Sequence, residues 1–141
     1  SEVAIRFANA TLTYDTVDQK VAEASLDANN TVVLREDKTT AGYCGAAISN
    51  RMPKFRMNPE AVLVATQDRN SNWLSNDEAA ISVVLDGPSD ADITIAIPKA
   101  QIVSMSEADR EGICTDELEF DCNKNGANAD QCVSITFNEA T

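Results

Sequence analysis

Apolar and polar residues alternate with a period of two along most of the chain, and this pattern predicts β-strands. Turn-forming pairs such as Asn29-Asn30, Gly87-Pro88 and Asn125-Gly126 separate the alternating segments. Strands that recur about every ten residues are typical of an all-β sandwich or barrel. The sequence therefore predicts a mainly β, antiparallel sandwich or barrel with strands over residues 3–7, 11–14, 21–26, 31–34, 43–48, 80–85, 93–97, 102–105, 118–122 and 132–137.

One segment has helical rather than strand signals. Asn58 can accept hydrogen bonds from the first turn of a helix, Pro59 suits the first helical position, and Glu60 complements the positive end of the helix dipole. These residues predict one flanking α-helix over residues 59–70. The alternative interpretation is a short buried strand over residues 61–65.

Composition excludes several classes of function. The chain has 141 residues, 23 acidic and 11 basic side chains, no histidine, and a formal net charge of −12. The absence of histidine removes the commonest general base and the commonest metal ligand. A strongly negative charge opposes nucleic-acid binding, which needs lysine and arginine to displace counterions from phosphate. We therefore expect no enzyme, no cofactor and no metal, and the sequence has no apolar stretch of the roughly 18 residues that a membrane span needs.

The first residues bear on domain organisation. The chain begins Ser1-Glu2-Val3 without a methionine, and apolar alternation starts at once. A mature secreted protein or a domain excised from a longer chain has such a start. We favour a single β domain over residues 1–141 that was excised from a longer chain, a length that suffices for one proper core.

Four cysteines, Cys44, Cys114, Cys122 and Cys132, are separated by 70, 8 and 10 positions. These separations match no zinc or redox motif, and buried cysteines often serve as small apolar residues. We favour free thiols, while a disulfide between Cys132 and either Cys114 or Cys122 stays open.

A polar segment over residues 121–126 has the spacing with which an EF-hand calcium loop begins. Such a loop needs a bidentate glutamate at its twelfth position, where this chain has Cys132. The preferred interpretation is a hairpin loop in which Asn125-Gly126 supplies the turn.

Acidic residues concentrate between positions 107 and 121, where Arg110 is the only basic residue. A catalytic carboxylate pair would require two groups in unlike environments, so we prefer a solvated acidic face. Such a face creates a negative field that repels polyanions and attracts basic partners. The candidate residues of this acidic cluster are Glu107, Asp109, Glu111, Asp116, Glu117 and Glu119.

Arg51, Lys54 and Arg56 form the basic cluster of the chain. Three interpretations are open: solvated side chains, a small phosphate-binding patch, or a surface that complements the acidic cluster of another copy. We favour the third, pairing between subunits, because charge complementarity fixes the register of an interface.

Residues 42–61, GYCGAAISNRMPKFRMNPEA, resemble a recurring stretch in the tail tube proteins of long-tailed bacteriophages. In that stretch a glycine-containing strand leads to an arginine, a proline and then an acidic residue. The resemblance extends in the same order over roughly residues 7 to 138, and its other parts are residues 10–14, 25–35, 97–102 and 132–137. The four cysteines depart from the family pattern.

This resemblance implies a structural virion protein, built as a β-sandwich or barrel with a helix at its side. Tail tube domains assemble into rings, and stacked rings form a conduit for DNA. The expected partners are copies of the same chain and other tail proteins, with DNA passing unbound, no membrane involved, and assembly in the bacterial host cytoplasm. The chain would match the second of two tandem β domains.

Two hypotheses follow for the assembled tube. Carboxylates of the acidic cluster, or those between residues 86 and 92, face the lumen and repel DNA, because like charges repel within about 8 Å at physiological ionic strength. Loops over residues 31–40 and 123–130 reach a neighbouring subunit, as exposed strand edges can template further pairing.

The rival interpretation is a secreted β-sandwich binding module, of adhesin or carbohydrate-binding type, that is stabilised by disulfides. Asn9 and Asn29 would then be glycosylation acceptors. Sugar binding favours exposed aromatic residues, and the one tryptophan, Trp73, is expected to pack inward from the helical segment.

Overall fold

The structure, a computed structural model, describes residues 10–38, 42–87, 92–128 and 131–138. The strand predicted over residues 3–7 lies outside the described residues, as do Asp90 and the other positions from 88 to 91. The mainly β, antiparallel fold with one helix is confirmed. Its elements are β1 Ala10–Tyr14, β2 Val17–Asp18, β3 Val21–Asp27, β4 Asn30–Glu36, β5 Tyr43–Arg51, β6 Lys54–Pro59, α1 Arg69–Ser75, β7 Glu78–Asp86, β8 Asp92–Arg110, β9 Ile113–Cys122 and β10 Ser134–Phe137.

One large sheet has the strand order β2-β1-β7-β8-β9-β6-β3, and β10 pairs with β8 beside this path. Strands β2 and β3 are successive parts of one segment, residues 17–27, yet they lie at opposite ends of the order. The Gln19 amide donates to Leu12 O (2.8 Å), and the Glu60 amide donates to Lys20 O (2.9 Å). Because the same segment pairs with β1 and then with β6, the sheet closes on itself as a barrel.

The core fills this barrel with side chains from five strands. Alternation within each strand points one row of apolar residues inward, as the period of two predicts. The rings of Tyr14 and Phe120 meet edge to face with centroids 5.1 Å apart. The buried residues are Leu12, Tyr14, Phe55, Met57, Ile81, Val83, Ile97, Ala100, Ile102, Leu118, Phe120, Cys122 and Cys132.

The helix predicted over residues 59–70 is wrong in its position. Pro59 is the last residue of β6. Asn58 caps no helix, because its Oδ1 accepts hydrogen bonds from the amides of Ala22 (3.1 Å) and Glu23 (2.8 Å) at a bulge in β3. Residues 61–66 form no strand either, so the alternative over residues 61–65 is also wrong.

The helix that does form is α1, and its caps explain its bounds. Asp68 is the N-cap and accepts from the Ser71 amide at 2.9 Å. Asn76 ends the helix in the left-handed region, with φ 57°. Trp73 is partly exposed rather than packed inward as expected.

Strands β4 and β5 form a separate two-stranded sheet, the β4–β5 hairpin. Every residue of β4 is exposed, and in β5 only Ala47 is partly covered. A hairpin of two strands is marginally stable in water unless something packs against it. The hairpin therefore differs from the barrel in having no core of its own within the described residues.

Candidate assembly surfaces

The β4–β5 hairpin presents a row of apolar side chains to solvent. Val32 pairs with Ile48 and Leu34 with Ala46 across the two strands. Cross-strand partners lie on the same face of a sheet, so these four residues share one surface, here called the hairpin face. Val32 and Leu34 are 61% and 65% exposed. Contiguous exposed apolar surface on a folded domain marks an interaction site.

The acidic cluster is divided between two faces of the β8–β9 pair. Met105 pairs with the buried Leu118, and the next pair on that face is Glu107 with Asp116. The opposite face carries Glu117, which pairs with Ser106, and Glu119, which pairs with Ser104. Asp109 pairs with Cys114 on the Glu107 face, and Glu111 lies in the turn between the strands. The six candidate carboxylates therefore do not form one continuous surface.

Asp116 belongs to a buried polar network rather than to a free acidic surface. Its carboxylate pairs with the guanidinium of Arg69, which is 4% exposed. Arg69 also donates to Gln19 Oε1 (2.6 Å), Gln67 Oε1 (3.2 Å) and the backbone oxygen of Glu60 (3.2 Å). The network joins the start of α1 to the barrel, and it neutralises the charge of Asp116 inside the molecule.

Sequence reasoning missed Arg69 and its partners. In the sequence, Arg69 follows Asp68 in a polar stretch, where the side chain of a basic residue is ordinarily solvated. Burial here depends on Gln19, 50 positions away, so no local pattern marks it.

Two residues of the basic cluster pair with the acidic cluster of the same chain. Lys54 Nζ lies 2.8 Å from Glu119 Oε1, and Arg56 Nε lies 2.8 Å from Glu119 Oε2. The hydrogen bonds from Lys54 and Arg56 hold the pKa of Glu119 below its usual range. The hydrogen bond to Glu119 raises the pKa of Lys54 in turn.

Arg51 is placed apart from this pair, at the end of β5 opposite Asn30, where it is exposed. Arg56 keeps 64% of its side chain exposed although it contacts Glu119. An inter-subunit role for Arg51, Lys54 and Arg56 stays a prediction.

The structure offers a groove of about 450 Å³ above the β3 bulge, and Glu23, Arg56 and Glu117 are among its lining residues. Within the described residues, no group of three histidine, cysteine or carboxylate side chains could hold a metal ion. In the same part of the chain, no helix has the length and apolar character to cross a membrane. No disulfide joins the four cysteines, all of which the structure describes.

No protein-family model matches the chain, and neither does any curated protein sequence. Solved structures do match. The anti-feeding prophage cap, the tube-terminating cap of that particle, has a TM-score of 0.68 at 14% identity, over 98% of this chain and 94% of the cap chain. The sheath/tube terminator of the extracellular contractile injection system PVC has a TM-score of 0.69 at 11% identity, over 96% of this chain and 98% of that one.

A third match is Hcp1 from Flavobacterium johnsoniae, with a TM-score of 0.53 at 17% identity, over 89% of this chain and 93% of Hcp1. At such identities a structural likeness shows the fold alone. The fold is that of tube and tube-terminator proteins of phage-like injection systems, and the resemblance to tail tube proteins is confirmed at this level.

Proposed function

We propose that this protein is a structural, non-enzymatic subunit of a phage-like tail, which assembles with further copies of itself into rings of the tail tube. The observation that carries the proposal is the hairpin face, an exposed apolar surface on a domain with a tube-protein fold. The protein is then part of the virion and is assembled in the bacterial host cytoplasm. A preceding β domain in the same chain stays a prediction from the sequence.

The hairpin face supports assembly because its exposure is costly in an isolated subunit. Val32 and Leu34 are more than half exposed, whereas the barrel residues of similar size are nearly fully buried. Burying a leucine-sized side chain contributes about 1.5 to 3 kcal/mol. A second copy that covers this face would supply that free energy. A contact between two different surfaces of identical chains generates a ring when the rotation closes.

The hairpin also offers strand edges. In the described part of the chain β4 pairs with β5 alone and β5 with β4 alone. The outer edge of each strand therefore carries backbone groups that can pair with a strand of another subunit. The strand edge supports the predicted contact of the loop over residues 31–40 with a neighbour, since residues 31–36 of that loop belong to β4. For the loop over residues 123–130, contact with a neighbour remains a proposal.

For the conduit, we propose that exposed carboxylates of the acidic cluster face the lumen. Asp116 pairs with Arg69, and Glu119 pairs with Lys54 and Arg56, so their charges are compensated within the chain. The remaining candidates on one face are Glu107 and Asp109, with Glu111 in the adjoining turn, and all three are exposed; Glu117 is exposed too, but on the opposite face. A lumen lined by uncompensated carboxylates lets DNA pass, because each phosphate contact with a cation would add affinity that slows it.

The assembly proposal is tested by changing Leu34→Asp and comparing it with Leu74→Asp. Leu74 in α1 is 72% exposed and Leu34 is 65% exposed, so the two changes are matched in residue type and exposure. Sedimentation velocity and electron microscopy of the purified proteins should show rings or tubes for the wild type and for Leu74→Asp, but monomers for Leu34→Asp. Circular dichroism checks that both variants keep the β fold.

Two results would contradict the proposal. One is a Leu34→Asp protein that assembles as well as the wild type. The other is a wild-type protein that stays monomeric at the highest attainable concentration and also when mixed with the other tail proteins of its particle.

The lumen proposal needs a separate experiment on assembled tubes. Reversing Glu107, Asp109 and Glu111 to lysine should make tubes retain double-stranded DNA in a salt-dependent manner, as basic groups release counterions from phosphate. Reversing Glu23 and Asp27, which lie on β3, is the control with two added lysines. Equal DNA retention by the two sets of variants would contradict a lumenal position for the acidic cluster.

A further inference from the structure

Cys122 and Cys132 lie together at one end of the barrel. Each is only 5% exposed, and both belong to the core. Cys122 is the last residue of β9, and its amide donates to Pro53 O at 3.0 Å, just after the β4–β5 hairpin. Cys132 comes two residues before β10. Both side chains line the same cavity of about 190 Å³.

The register of β8 brings the two cysteines within reach of each other. Cys122 pairs with Ala100, and Ser134 pairs with Ala96. Since β7 occupies the opposite edge of β8 at both positions, β9 and β10 lie along the same edge. Cys132 lies two residues before Ser134, the first residue of the antiparallel β10, so the chain direction carries it back toward Ala100. Two residues of extended chain span about 6.4 to 6.8 Å, the upper end of the Cα separation of about 4.4 to 6.8 Å in disulfides.

A backbone hydrogen bond joins two described residues of the connection between β9 and β10. The Asn125 amide donates to Gln131 O at 3.2 Å, and both residues lie between Cys122 and Cys132 in the sequence. Burial, and then the nearby Cys132 and Asp121, raise the pKa of Cys122 to about 12. Buried in this way, the Cys122 thiol is held protonated and unreactive, so oxidation has to begin with a local opening of this end of the barrel.

We propose that Cys122 and Cys132 form a redox modification site, in which a small-molecule disulfide converts the two thiols into an intrachain disulfide. The thiolate of Cys132, which the opening loop exposes, attacks one sulfur of oxidised glutathione and releases glutathione thiolate. The thiolate of Cys122 then attacks the cysteine sulfur of this mixed disulfide and releases the second glutathione. The protein loses two electrons and two protons, and the oxidant becomes two molecules of reduced glutathione.

The disulfide would tie Cys132 to the end of β9, beside the root of the β4–β5 hairpin. This inference is independent of the proposed function, because it rests on the barrel alone. Cys44 and Cys114 are exposed and have no part in it.

The test uses the Cys44→Ser/Cys114→Ser protein, which retains only the buried pair. After treatment with oxidised glutathione, its intact mass should fall by two hydrogens without a glutathione adduct. Lys124 lies between the two cysteines, so trypsin should give two peptides that stay joined until a reductant is added. The oxidised protein should also gain about 1 M in its urea midpoint, since the link constrains the unfolded chain.

A Cys132→Ser change in the same background is the control, and it should give no linked peptide. In the wild-type protein trypsin leaves Cys114 and Cys122 on one peptide, so a second cleavage after Glu117 or Glu119 is added to show which of the two is linked to Cys132. The proposal is overturned if both thiols stay reduced while exposed thiols oxidise, or if each carries its own glutathione without forming the link.

Discussion

The barrel and the β4–β5 hairpin differ in the burial of their apolar strand residues. In the barrel, Phe120 and Ile97 are fully buried, because the strands of the closed sheet surround them. In the hairpin, Val32 and Leu34 are apolar strand residues of one row, as in the barrel, yet they are exposed. Apolar residues in a strand pattern thus identify the strand, but not the surface that covers them. The barrel covers its row with its own strands, and we propose that the hairpin uses another subunit.

This difference separates stability from assembly. Substitutions in the barrel should lower the free energy of unfolding of the isolated subunit, while those in the hairpin should leave it nearly unchanged and affect association.

Phe120→Ala should have the largest effect on the free energy of unfolding. The side chain is fully buried and contacts the rings of Tyr14 and Phe55. Its truncation should destabilise the subunit by about 3 to 5 kcal/mol, through lost burial and the cavity left behind. Leu34→Ala in the hairpin, measured under the same conditions by urea unfolding, should cost less than about 0.5 kcal/mol. Similar losses for the two variants would abolish the distinction.

Arg69→Met should come next. Removal of the guanidinium leaves Asp116 and Gln19 without their buried partner, and the expected loss is about 3 kcal/mol. Arg56→Met is the matched control, because Arg56 also pairs with a carboxylate, that of Glu119, but its side chain is 64% exposed. That change should cost less than about 1 kcal/mol. An equal effect in thermal or urea unfolding would show that the Arg69 network does not hold α1 to the barrel.

Alkaline pH should weaken the barrel through Cys122. Its pKa is about 12 in the folded chain, against 9.0 for an ordinary thiol. Because the folded pKa is the higher one, the contribution of the thiol is fully present below about pH 9 and is lost as the pH rises toward 12. The pKa of Tyr14 is also raised, by burial above all, so it acts in the same direction.

The Cys122→Ala protein should therefore lose less stability than the wild type between about pH 8 and about pH 11. Cys114→Ala, at an exposed thiol, should follow the wild type. Urea midpoints at the two pH values give the comparison, and parallel behaviour of all three proteins would contradict the role of the buried thiol.

The local pattern of apolar and polar residues was sufficient to predict many of the barrel strands. Residues 80–85, 93–97 and 118–122 alternate clearly, and each lies within a strand of the structure. The prediction placed the helix ten residues too early, because Asn58 and Pro59 look like a helix start. In the fold, Asn58 instead accepts hydrogen bonds from backbone amides at a bulge in β3, more than thirty positions away in the sequence. A long-range hydrogen bond overrides the local capping signal.

The candidate site was predicted in composition but not in geometry. The acidic residues were found, yet the register of β8 and β9 divides them between two faces and places Glu119 opposite Arg56. Closure of the barrel by residues 17–27 has the same origin, since it depends on two pairings with distant strands. Tertiary packing fixes the pairing register of the strands, and the periodicity of the sequence does not predict it.

Whether the hairpin face is an assembly surface is tested most directly by an electron cryo-microscopy structure of the assembled particle at side-chain resolution. We predict that Val32, Leu34, Ala46 and Ile48 of each subunit are buried against a neighbouring copy, while the barrel keeps its described core. A particle in which these four side chains remain in solvent, with subunits joined through other surfaces, would contradict the account.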